Sequence, residues 1–202
     1  ISSSVSSTYV TKDTFNNTTS TLATKSEVTQ TKDALTAKFS QTGGINLIRN
    51  GSFWDGLNGW SNWGSPSTRN VTTTSLGYRN KLRLVTTGTN QGVNQQISDL
   101  EVGTKYILSA YVNVESGNCV IMVNNNGNYT STVSSGTGKK WLELTFTASN
   151  TSVTIYLGRS GSGSNGTYDF TAVQLERGST RSSWSPNANE ICEGITTINE
   201  EG

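Results

Sequence analysis

Histidine is absent from this 202-residue chain, cysteine occurs only as Cys119 and Cys192, and proline only as Pro66 and Pro186. Each shortage removes chemistry. Without imidazole there is no Ser-His-Asp relay and no His-ligated zinc or iron site. Two isolated cysteines cannot frame a disulfide-rich scaffold or a thiolate metal knot. One bridge between them stays geometrically open, and two free thiols are the expectation. Charged residues make up 14% of the chain and the formal net charge is +1, with no Lys/Arg block. That composition predicts neither a nucleic-acid partner nor an anionic membrane partner. No apolar run approaches the ~18 residues of a membrane span, and no basic-then-apolar leader is present. The opening at Ile1 rather than Met leads us to expect a piece of a longer protein.

Ser, Thr, Asn and Gly fill the space left by the missing types, a composition that favours strands and turns over a helical bundle. Residues 1–44 contain no Trp or Pro, and Ser and Thr supply 19 of the 44 positions. Such a segment cannot bury a core alone. A short phrase recurs in it as TKDTF at 11, TKSEV at 24 and TKDAL at 31. Over 24–40, Thr24 and Glu27 fit a capping box, and Val28, Leu35 and Phe39 fall on one helical face. A helix with so thin a stripe is marginal by itself. Val28 and Leu35 lie seven apart with Lys32 between them on the seam, which fits a weak parallel coiled coil of three strands. A Ser/Thr linker is the other reading.

Residues 45–186 differ in kind. All five tryptophans lie here, with the alternating runs KLRLV, GVNQQI, KYILSAYVNV, CVIMV, WLELTFT, SVTIYL and YDFTAVQLE, each bounded by turn residues. Seven or eight short antiparallel strands at this spacing make a mainly β fold, a jelly-roll β-sandwich. The period of two puts Tyr106, Leu108, Ala110 and Val112 inward and Ile107, Ser109, Tyr111 and Asn113 outward. The same rule points Val153, Ile155 and Leu157 inward and Thr154 and Tyr156 outward. The two outward tyrosines are offered on strands that could share a sheet. Residues 187–202 read as an exit segment.

The set NLIRNGSFWDGLNGWSNWG, GVNQQISDLEVGTKYILSAYVNV, WLELTFTAS and YDFTAVQLERGSTRSSWSPN resembles the carbohydrate-binding modules of families four and nine, which share the galactose-binding-like jelly roll. A helical stalk ending in FSQTGG, running into NLIRNGSF and leaving through SSWSPN, resembles tail proteins of phages and prophages of Gram-positive bacteria. The resemblance implies a non-catalytic sugar-binding domain on a trimeric tail or baseplate component, holding the host's cell-wall polysaccharide. It also implies a structural Ca2+ near the first strand, with Asp169 as the carboxylate. Where the family has two adjacent acids this chain has Asp-Phe, and Asp169 could equally bond neighbouring backbone amides.

A sugar presents an apolar C–H face ringed by hydroxyls, so its site needs flat aromatic surface and directional polar groups. Trp60 and Trp184 are expected in packing, and Trp141 leans the same way. Trp54 and Trp63 sit on a turn-rich loop where either exposure or burial fits. Tyr78 and Arg79 would rim the site from a second turn, and Tyr129 would close a polar hairpin tip. The carbohydrate-binding set is therefore Trp54, Trp63, Tyr78, Arg79, Tyr111, Asn113, Tyr129 and Tyr156. GSGSNG at 161–166 is expected to be a flexible loop rather than a phosphate cradle. A hydrolase would need a pair of acids in unlike environments. Asp55, Asp99, Glu101 and Glu115 instead lie in or near predicted turns. A ligand-free spacer domain is the remaining alternative.

Overall fold

The structure, a computed structural model, describes residues 44–73, 76, 78 and 80–188. The predicted helix, coiled coil and trimer of residues 1–43, the exit residues 189–202, Arg79 and Cys192 lie outside the described residues. The described chain forms ten strands: β1 (Ser61–Trp63), β2 (Thr68–Thr73), β3 (Asn80–Thr86), β4 (Gln91–Ile97), β5 (Lys105–Asn118), β6 (Val120–Asn125), β7 (Asn128–Val133), β8 (Gly138–Thr147), β9 (Val153–Arg159) and β10 (Ser164–Arg177). They build two five-stranded antiparallel sheets, β1-β4-β9-β6-β7 and β2-β3-β10-β5-β8. The seven apolar runs all fall on strands. The three strands the pattern misses are β1, β2 and β7, whose side chains are mostly exposed and so carry no apolar alternation. GSGSNG is only partly a loop, since β10 begins at Ser164.

The core lies between the sheets. Tyr106, Leu108, Ala110 and Val112 are at most 4% exposed, as the period of two requires, and Val153, Ile155 and Leu157 join them. Phe53 and Trp60 enter from the first loop, their ring centroids 5.4 Å apart. That loop is held by two asparagines. Asn46 bonds Val173, Ser185, Ile48 and Leu175. The Asn50 amide donates to the carbonyls of Gly56 and Asn58. Gly51, next after Asn50, is obligatory, because a Cβ there would lie 2.2 Å from the Val173 carbonyl oxygen, at a bulge in β10.

Ile107 and Ser109 point outward from the second sheet by alternation, yet each is 1% exposed or less. The exit segment explains this. Arg181 pairs with Glu143 on β8 at 3.1 Å, and Ser182 donates from its backbone and hydroxyl to the Glu176 carboxylate on β10. Ser185 bonds Gln174 and the Gly44 carbonyl. Residues 181–185 therefore cross the outer face of β5 as a strap, and the chain enters and leaves side by side.

Cys119 is a free thiol with no exposed surface. Burial pushes it from 9.0 up to about 11. Between those values an unfolded thiol is ionised and the folded one is not, so stability falls as pH rises through that window. The loss reaches about 2–3 kcal/mol at most. In urea unfolding from pH 9 to 11, the natural chain is expected to lose stability more steeply than Cys119→Ala; parallel slopes would contradict this.

Candidate functional site

The groove lies on the outer face of the first sheet. Strand register sets Ser61, Asn94, Tyr156, Met122 and Ser131 in one line across β1, β4, β9, β6 and β7. At ~4.8 Å between strands, the line is roughly 19 Å long. The next line runs Trp63, Gly92, Gly158, Val120 and Val133. Its two facing glycines leave no side chain between Trp63 and Tyr156, whose centroids stand 4.9 Å apart at 57°. Glycine is required at both positions. Gly92 and Gly158 have φ of +153° and +145°, and a Cβ on either would come within 2.1 Å of the facing strand's carbonyl oxygen.

Tyr129, 61% exposed, closes the far side. Its ring lies 6.5 Å from Tyr156, and its hydroxyl accepts from the Asn124 amide at 3.1 Å. The β9–β10 turn forms a wall. Ser160 and Ser162 share a 2.8 Å hydroxyl hydrogen bond, and Gly163 packs down on Val120, which is wholly buried although it faces outward. The result is a cavity of about 420 Å³ floored by Met122 and rimmed by Asn90, Ser131 and the Ser160–Ser162 turn. Three rings, one thioether and neutral amide and hydroxyl groups face it. None of its described lining residues carries a charge.

The opposite face differs. Tyr78, Tyr111, Trp141 and Trp184 form a half-buried cluster on the second sheet. Tyr78 meets Trp184 at 5.6 Å and Trp141 at 6.2 Å, both edge-on, and Tyr111 lies 5.3 Å from Trp141. The Arg181 guanidinium sits 4.0 Å over the Trp141 ring. Burial raises the Tyr78 phenol above its ordinary range, against the lowering pull of Arg181. These rings spend their faces and edges on one another and on the strap.

The expected binding set is thus divided. Trp63, Tyr129 and Tyr156 come together in the groove. Tyr111 and Tyr156 do not share a sheet: β5 belongs to one layer and β9 to the other, so Tyr78, Tyr111 and Asn113 lie on the opposite side of the molecule. Asn113 donates to Asp169 at 3.4 Å. Trp54 is half-buried in the 53–59 turn and does not line the groove. Trp60 is core, as expected, and Trp141 and Trp184 are also packed, though half-buried among other rings on an outer face rather than between the sheets. Glu115 lies within β5 rather than a turn, and its hydrogen bond with Arg83 lowers its pKa. Sequence reasoning missed Met122. The signal was present in CVIMV, where period two sends Cys119, Ile121 and Val123 inward and leaves Met122 outward.

Asp169 does not fit a calcium ligand. Its carboxylate has no exposed surface, and its oxygens are taken by Lys81 at 2.8 Å and Arg83 at 3.3 Å. A divalent cation needs several such oxygens free of competing cations. Among the described residues, no group of three acids, cysteines or histidines could hold a metal.

The jelly-roll sandwich thus carries an uncharged aromatic trough across one sheet. A family model described as a carbohydrate binding domain matches residues 45–158, and the chain belongs to that family. Solved structures share the fold. The CBM22-1 xylan-binding domain of Paenibacillus barcinonensis Xyn10C is 18% identical, with 68% of this chain and 97% of that chain covered and a TM-score of 0.50. A cyclase from Fischerella sp. TAU is 16% identical, over 69% of this chain and all of that one, with a TM-score of 0.54. The chain spans 21% of the tailspike protein 4 domain of bacteriophage CBA120 and 66% of itself is covered, at 18% identity and a TM-score of 0.49. No curated protein matches it.

Proposed function

We propose that the groove on the first sheet binds a neutral saccharide of the bacterial cell wall, and that the chain does so as a non-catalytic part of a phage tail or baseplate protein during adsorption to the host. The observation that carries the binding reading is the Trp63–Tyr156 pair standing over Met122 within a rim of uncharged hydrogen-bonding groups. Aromatic rings meet the C–H face of a pyranose, and amides and hydroxyls meet its edge. An anionic glycan would find no cation in this lining. Hydrolysis lacks its acid pair: none of the described acids lines the groove, and Asp169, Glu115, Glu101 and Glu143 are all ion-paired with Lys or Arg.

The tail assignment rests on the stalk-like residues 1–44, the FSQTGG junction and the SSWSPN exit. In this reading residues 1–44 join three copies, other tail proteins flank them, and the protein is made in the bacterial cytoplasm and carried in the virion. Joining copies raises avidity through effective concentration.

Titrating the full chain with purified Gram-positive wall polysaccharide should perturb tryptophan fluorescence without releasing reducing ends. No response would leave a ligand-free spacer, and released reducing ends would make it a hydrolase. Sedimentation of the full chain against one beginning at Gly44 tests the trimer. A monomer in both would remove it.

A further inference from the structure

We infer that the groove selects glycans bearing an N-acetylated amino sugar, whose acetamido methyl sits on Met122; this rests on the sugar-binding reading of the same groove. Met122 is the chain's single methionine, faces outward from β6 and is 7% exposed. Its neighbours across the strands are Tyr156 and Ser131. The floor is therefore one apolar spot, with an aromatic ring on one side and hydroxyl and amide groups around it. A ring hydroxyl pressed onto a thioether would lose its water partners and gain none. A methyl group loses nothing there, and the unbranched thioether can shift to fit it.

The acetamido group matches the rest of the rim. It is a methyl joined to a planar amide with one donor and one acceptor, held within a few bonds of the sugar ring. The Ser131 and Ser162 hydroxyls can donate or accept, and the Asn90 side chain offers both an amide N–H and a carbonyl. All three line the same cavity as Met122, beside the Trp63–Tyr156 pair that would take the ring. A free ammonium at the same carbon would meet no carboxylate, since no lining residue is acidic.

Three β-1,4-linked tetrasaccharides with the same backbone separate these cases: N-acetylchitotetraose, cellotetraose and fully deacetylated chitosan tetraose. Calorimetric titration of the full chain should give the N-acetylated form an affinity about tenfold or more above cellotetraose, with the free amine weakest. Met122→Gln should abolish that preference and Met122→Leu should retain it, the leucine variant guarding against a general loss of fold. Cellotetraose binding as tightly as the N-acetylated form would overturn the inference and leave the glycan groove standing. Binding of wall polysaccharide with none of the three tetrasaccharides would also overturn it. No response to any glycan, wall polysaccharide included, would overturn the binding reading itself.

Discussion

Replacing Asn46 with alanine is expected to lower the unfolding free energy by about 3 kcal/mol, the largest single-residue effect on stability we foresee. The side chain is 1% exposed. Its amide donates at 3.0 Å to the carbonyls of Val173 and Ser185. Its carbonyl accepts from the backbone of Ile48 at 2.9 Å and of Leu175 at 3.2 Å. Alanine leaves two buried N–H groups without a partner, and each costs about 1–3 kcal/mol. It also removes one of the ties between the incoming segment at residues 44–48 and the outgoing strap. Asn46→Asp keeps the acceptor but turns an oxygen toward the two carbonyls, so it should not restore stability. Urea unfolding checks both, and a loss below about 1 kcal/mol for alanine would show that the network contributes little.

Trp63→Ala is expected to weaken glycan binding by about tenfold or more while leaving stability nearly unchanged. Trp63 is half-buried on β1, a three-residue strand at a sheet edge. Its ring has Tyr156 on one side and open cavity on the other, with no side chain beneath it on Gly92 or Gly158. Truncation removes stacking area from the ligand but takes little out of the core. Tyr111→Ala is the matched control, since its ring belongs to the aromatic cluster on the other sheet. It should lower stability and leave affinity in place. Calorimetry with wall polysaccharide, together with urea midpoints, separates the two outcomes.

The division of the predicted site shows what the sequence could and could not convey. Period two correctly assigned a face to each residue of KYILSAYVNV and SVTIYL, because side-chain direction is a local property of a strand. It could not say which strands are neighbours. Tyr111 and Tyr156 are both outward, but β5 pairs with β8 and β10 while β9 pairs with β4 and β6. The buried outward residues were illegible for a related reason. Ile107 is covered by a strap some 75 residues further along, and Val120 by the turn at Ser160–Gly163. Such coverage comes from tertiary structure and leaves no periodic trace. The asparagines of NLIRNG, by contrast, are visible in the sequence as part of the family resemblance, and in the structure they hold the first loop through buried and half-buried hydrogen bonds.

In the proposed function, sugar is held on the β1-β4-β9-β6-β7 sheet and the aromatic cluster on the other sheet is structural. The five tryptophans give five indole N–H signals, so a titration of the nitrogen-15-labelled chain with wall polysaccharide, followed by NMR, tests it residue by residue. The Trp63 signal is expected to shift with saturable dependence on glycan while those of Trp141 and Trp184 stay in place. Shifts confined to Trp141 and Trp184, with Trp63 unmoved, would contradict it.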